Sequence, residues 1–203
     1  MEVLAKRPKK GFQKVVPAIS HSFSVKIHKG GFFMKVGVVI YPSKKLQDFA
    51  NSYRKRYDPY YALIPPHITL KAKFESSDNE IAEISNHLEE IARNHQPFSI
   101  TTKKISTFHP VNNVVYLKIE PSSELEKLYG DINSLAYGNP PEYAFVPHIT
   151  LGQELSDGEH TDVYSQLRLL KLDFTEEIDR FHLVYQLDNG VWNVYETFLL
   201  GEK

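Results

Sequence analysis

Pro66-His67-Ile68-Thr69-Leu70 recurs letter for letter at Pro147-His148-Ile149-Thr150-Leu151. A His-x-Thr triplet alone is a weak signal in a chain with nine histidines. An identical five-residue block in each half, each entering a β-rich run behind a proline, points to two related halves of one fold. In a strand, residues i and i+2 share a face. His67 therefore points with Thr69, and His148 with Thr150, while Ile68, Leu70, Ile149 and Leu151 point the other way into a core. Each half offers an imidazole and a hydroxyl on one polar face. If the halves are pseudo-symmetric lobes, these faces meet across a central cleft.

The flanking sequence supplies the rest of each lobe. Lys35–Tyr41 is a β-branched run that reads as a buried strand. Ser43 is placed to cap a helix over 44–57, ended by Asp58-Pro59. A strand is expected over 67–74. Ser77-Asp78 opens the most regular helix, to Asn94, with Ile81, Ile84, Leu88 and Ile91 on one face. Strands are expected over 97–103 and 113–120, the second with Tyr116 and Lys118 alternating against Val115, Leu117 and Ile119. A helix over 121–137 is capped by Ser122 or Ser123. A strand over 145–153 and a helix over 157–170 follow. Asp188-Asn189-Gly190 between two apolar runs, 178–187 and 191–200, is a hairpin signal. The order β-α-β-α-β-β-α-β-α-β-β predicts an α+β, bilobal fold, with two antiparallel sheets facing a central cleft and helices outside.

The composition agrees with a globular chain: 203 residues, 41% hydrophobic and 24% charged. The absence of cysteine excludes a disulfide scaffold, a thiolate metal site and a Cys nucleophile. No apolar run is long enough for a membrane span, and a cytoplasmic location is expected. The net charge of −1 hides a split. Residues 1–33 carry seven basic residues and one acid, a net +6, and 34–203 carry seventeen basic and twenty-four acidic residues, a net −7. The leader 1–33 has no helical or strand periodicity. It reads either as a basic, disordered nucleic-acid-binding arm or as upstream DNA translated in frame from a mis-assigned start. Lys29-Gly30-Gly31 can be encoded by a purine-rich ribosome-binding tract ahead of Met34, which favours the second reading. Residues 34–203 are then a single bilobal domain, whose −7 charge argues against broad binding to long nucleic acid.

Two imidazoles facing one cleft suit phosphoryl chemistry. Histidine titrates near neutrality, so one ring can act as base while the other acts as acid. The hydroxyls of Thr69 and Thr150 can hydrogen-bond non-bridging phosphate oxygens. Lys71 continues the His67 face by simple alternation and is a weaker candidate for holding phosphate, as are Tyr57 and Arg56 ahead of the first motif. Two histidines without neighbouring carboxylates make a poor metal site, and neither a metal nor another cofactor is expected. The loop carrying Phe108, His109, Asn112 and Asn113 lies where loops often rim sites but reads better as a plain turn, Tyr143 and Phe145 read as core residues, and His87, His95 and His160 as helix-surface residues.

The doubled motif, with IPPHITL, PVNNVVYLK, FVPHITLGQ and the C-terminal run 179–201, resembles the 2H phosphoesterase superfamily, and within it the YjcG-like branch. The resemblance covers essentially everything after the leader. It implies metal-independent chemistry on 2′,3′-cyclic or 2′–5′ phosphodiesters, with His67 as proton donor and His148 as proton acceptor. The implied partner is a small nucleotide or an RNA terminus carrying the phosphodiester, with no membrane and no obligate protein partner. The alternative is a non-catalytic module that binds a nucleotide or RNA end in the same cleft.

Overall fold

The computed structural model describes residues 33–201, so the leader, apart from Phe33, lies outside the described residues. Strand β1 (Phe33–Ile40) is followed by helix α1 (Lys44–Tyr57), then β2 (Ile68–Ser77) and α2 (Asp78–Arg93). The second half runs β3 (Phe98–Thr107), β4 (Val115–Ile119), α3 (Ser123–Ser134), β5 (His148–Gly152) and α4 (Asp157–Leu167). It closes with β6 (Phe174–Ile178), β7 (Arg180–Gln186) and β8 (Trp192–Leu199). Serine side chains start each of these helices. Ser43 accepts from the Leu46 amide and Ser122 from Leu125. Ser77 and Ser156 form full capping boxes with Glu80 and Glu159.

The strands form two antiparallel four-stranded sheets, ordered β2-β1-β7-β8 and β5-β4-β3-β6. The expected alternation holds at both motifs: Ile68, Leu70, Ile149 and Leu151 are fully buried. They join one continuous core with Val36, Val38, Ile105, Leu117 and the apolar stripes of the helices.

Helix packing couples the two halves. Helix α1 leads into the first motif yet packs on β5, the strand of the second. Helix α3 leads into the second motif yet packs on β2, the strand of the first. Each motif strand is thus held by a helix from the other half. Helix α2 lies on β2 and β8, and α4 on β3 and β4.

Two expectations need correction. Strand β6 is absent from the expected order. Its sequence, Phe-Thr-Glu-Glu-Ile, has no clean apolar alternation because among the described residues it is an edge strand, paired only with β3, and such edges carry charge. The second correction concerns Lys71. Val39 pairs with Thr69, but its neighbour Val38 pairs with Lys71, so β2 inserts an extra residue there. A further irregularity separates Lys71 from Phe74, which pairs with Val36. Such a β-bulge re-aims side chains. Lys71 turns onto the core face with Val38, away from Thr69, and is buried.

Candidate active site

Neither motif histidine owes its orientation to chance. Nδ1 of His67 lies 2.8 Å from the carbonyl oxygen of Pro65, two residues back. Nδ1 of His148 lies 2.7 Å from the carbonyl oxygen of Val146, again two residues back. A carbonyl can only accept, so Nδ1 carries the proton in each ring and donates it. In each neutral ring Nε2 is left as a lone-pair nitrogen. The rings are close enough for the charge of His148 to act on His67. Burial is the main influence on both and pushes both pKa values down, that of His67 from 6.5 to about 4. The Pro65 carbonyl and Asp58 oppose the shift at His67, while Arg54 and His148 add to it. Both imidazoles are therefore neutral at pH 7. Thr69 and Thr150 are half-buried, and among the described residues neither hydroxyl has a hydrogen-bond partner.

The floors of the two lobes differ. On the first sheet the row through Thr69 runs Val39, His182, Thr197. Nδ1 of His182 is 2.9 Å from the Thr197 hydroxyl oxygen. Tyr41 bridges the two histidines of this lobe, with ring centroids 6.5 Å from His67 and 5.0 Å from His182. Its half-buried phenol is pushed up to about 12 by desolvation and stays protonated. On the second sheet Thr150 pairs with Tyr116, which pairs with Ser106, and His148 pairs with Lys118, which pairs with Lys104. Phe108 and Tyr116 enclose the His148 ring at centroid distances of 5.0 and 5.1 Å. Among the described residues, no group of three or more His, Cys, Asp or Glu side chains is placed to hold a metal ion.

A family model of the 2′-5′ RNA ligase superfamily, the 2H phosphoesterases, matches residues 42–190. The chain belongs to this superfamily. A Bacillus pumilus protein named "Putative phosphoesterase" is 58% identical over 174 residues, covering 84% of this chain and 99% of the relative. A Geobacillus kaustophilus protein of the same description is 53% identical over 170 residues, covering 84% and 98%. As a 2H phosphoesterase the chain is a hydrolase acting on phosphoric esters. The fold is that of Escherichia coli LigT, solved with 3′-AMP, at a TM-score of 0.64 and 17% identity, covering 84% of this chain and 99% of LigT. A Thermus thermophilus structure matches equally, with a TM-score of 0.64, 18% identity, and 84% and 100% coverage.

The weaker candidates of this phosphoesterase fall elsewhere. Lys71 points at α3, where its Nζ lies 3.5 Å from Asn133 Oδ1, and its pKa is lowered by burial. Arg56 is exposed over the Tyr57 ring, 5.4 Å from its centroid. Tyr57 backs onto Gly152, where an added Cβ would lie 2.9 Å from the Tyr57 Cβ. Among the described residues, no hydrogen bond, ring contact or charge interaction joins either of them to the motif histidines. Their neighbour Arg54 is the consequential one. It is buried and paired with Asp58 at 2.7 Å, and it donates to the Ile64 carbonyl at 2.8 Å. Asp58 accepts from Gln153 just beyond β5. This ion pair ties the loop entering the first motif to the strand of the second.

Other positions differ from their sequence reading. Tyr143 is exposed rather than in the core, because no strand precedes His148. Phe145, by contrast, does pack against the core as expected, stacking on Tyr129 with centroids 3.8 Å apart. His95 and His160 are buried, bonded to Asp131 at 2.8 Å and to the Thr107 hydroxyl at 2.6 Å. Phe108 contacts His148, although its loop reads as a plain turn. Sequence reasoning misses Tyr41, Tyr116, His182 and Lys118 as site residues. Tyr116 and Lys118 have a signal, the alternation along β4.

Proposed function

We propose that this phosphoesterase hydrolyses 2′,3′-cyclic or 2′–5′ phosphodiester bonds of RNA ends or nucleotides, with His67 and His148 as the general acid and general base. The observation that carries the reading is the matched setting of the two rings, each with Nδ1 fixed on a carbonyl and Nε2 free. LigT has been solved with 3′-AMP, ATP and NADP+, and a ligand of nucleotide size is assigned to this cleft.

A phosphodiester entering between the rings brings a negative charge into a poorly solvated site. That charge favours protonation of an adjacent imidazole. His67, protonated on Nε2, faces the leaving oxygen, and neutral His148 accepts a proton from water. The water oxygen bonds to phosphorus as the bond to the leaving 2′ or 3′ oxygen breaks. That oxygen takes the proton from His67 Nε2. Thr69 and Thr150 donate to the non-bridging oxygens, where charge accumulates. The donor and acceptor roles follow the superfamily resemblance.

The test is a substrate screen of 2′,3′-cyclic, 2′–5′ and 3′–5′ phosphodiesters in EDTA, comparing wild type with the His67→Ala/His148→Ala double variant. Turnover of a 2′-linked or cyclic ester by wild type alone is the expected result. Tight binding with no product would support the non-catalytic alternative and overturn the proposal.

A further inference from the structure

The two lobes present different chemistry beside their motifs, and the difference gives the cleft a direction. Beside His148 the strands carry Lys118 and then Lys104, in register across three strands. Strand neighbours lie about 5 Å apart, so Lys104 stands roughly 10 Å from His148 at the backbone. Both lysines share the face of Thr150 and Tyr116, because Ile149, Leu117 and Ile105 form the alternate, buried row. Lys118 is half-buried and Lys104 exposed. Among the described residues neither ammonium has a hydrogen bond or an ion pair. Glu120 follows two residues after Lys118 and pairs with neither.

In the first lobe the cations that act on the histidines, Arg54 on His67 and Arg180 on His182, are each already paired with a carboxylate, Asp58 and Asp179. The cross-strand neighbours of Thr69 are Val39, His182 and Thr197, and His67 is met by Tyr41. The nearest lysine along β2, Lys71, is turned into the core by the bulge, and Lys73 lies further along the strand. Residues 34–203 carry a net −7, so an anion reaching this cleft meets a repulsive body and, on the His148 side, a row of cations that no carboxylate among the described residues pairs.

Two lysines side by side without an acid repel each other, and a second phosphate group relieves that repulsion. An ammonium on a flexible stem suits phosphate as a point charge and reads no base. Resting on the phosphodiesterase reading above, we propose that Lys118 and Lys104 form a second phosphate subsite on the His148 side of the cleft. The preferred substrate is then an oligonucleotide, whose reacting phosphodiester sits between the histidines while a neighbouring backbone phosphate lies on the lysine row.

Two measurements test the subsite separately from the chemistry. In the first, kcat/KM is measured for a nucleoside 2′,3′-cyclic phosphate and for a trinucleotide ending in the same cyclic phosphate. Wild type should prefer the trinucleotide, through KM, and added salt should shrink the preference. In the Lys104→Ala/Lys118→Ala variant the ratio of the two kcat/KM values should fall about tenfold, and Lys→Arg at both positions should restore most of it. In the second, fluorescence anisotropy follows binding of a labelled trinucleotide 3′-phosphate, which does not depend on turnover. The double alanine variant should bind about tenfold more weakly, with an unchanged melting temperature. Equal trinucleotide binding by wild type and variant, or an unchanged ratio, overturns the subsite. Failure of wild type to turn over any cyclic or 2′–5′ ester overturns the phosphodiesterase reading, while the binding comparison still decides the lysine row.

Discussion

A carbonyl oxygen at hydrogen-bond distance from Nδ1 decides which nitrogen of each motif histidine can do chemistry. The same contact, two residues back, appears at Pro65 and at Val146, so both rings are aimed by their own strand entry and not by a distant partner. The identity of the two rings is legible in the sequence, because motif and strand period are local. Their surroundings are not. Tyr41 beside His67 and Phe108 beside His148 come from other strands and loops, and their placement depends on a register that a single strand does not reveal. The electrostatics make a prediction at this scale. Burial lowers both pKa values below the ordinary 6.5 in the free protein, whereas a bound phosphodiester raises them. The bell-shaped profile of kcat/KM, which reports the free enzyme, should therefore centre below neutrality, and the profile of kcat should lie at higher pH. Steady-state rates across the pH range, with the preferred phosphodiester, check this; coincident profiles would contradict it.

At the scale of elements, alternation is right wherever a strand is regular and wrong where it bulges. His67, Thr69, His148 and Thr150 take the faces their spacing predicts. Lys71 does not, because β2 gains a residue between Thr69 and Lys71, and nothing in Ile-Thr-Leu-Lys marks that insertion. Strand β6 escapes a sequence reading for a related reason, since its edge position removes the need for an apolar face. The bulge has a measurable consequence. Lys71 faces the core and Asn133 at a long 3.5 Å, so Lys71→Met should keep turnover within about twofold and leave stability unchanged or raised by about 1 kcal/mol, as replacing a buried charge often does. Kinetics and urea denaturation of the variant check both halves. A loss of turnover of about a hundredfold would place the Lys71 ammonium back in the cleft.

Across the whole molecule, each motif strand is braced by a helix from the other half, and the Arg54–Asp58 pair joins the first motif's loop to Gln153 beyond the second. The doubled pentapeptide makes two lobes legible, but the exchange of helices between them is not, since it concerns which sheet a helix crosses to and not whether it forms. The half-buried imidazoles also set a pH dependence for the fold. His67 and His182 both have folded pKa values of about 4, against about 6.5 when unfolded. Below about pH 6.5 the unfolded chain binds protons that the folded chain refuses, so stability falls as pH drops from about 6.5 toward 4 and is flat above. Urea midpoints should be lower at about pH 5 than at about pH 7.5, with a smaller difference in His182→Gln. A midpoint independent of pH would contradict the assigned burial. Catalysis here requires both histidines to act on one phosphate. Its most direct test is kcat on the preferred phosphodiester, in EDTA, for His67→Ala and His148→Ala separately, beside wild type. Each single variant should lose about 10²–10⁴-fold while keeping the wild-type circular dichroism spectrum and melting temperature; turnover within a few-fold of wild type in either variant would contradict the two-histidine mechanism.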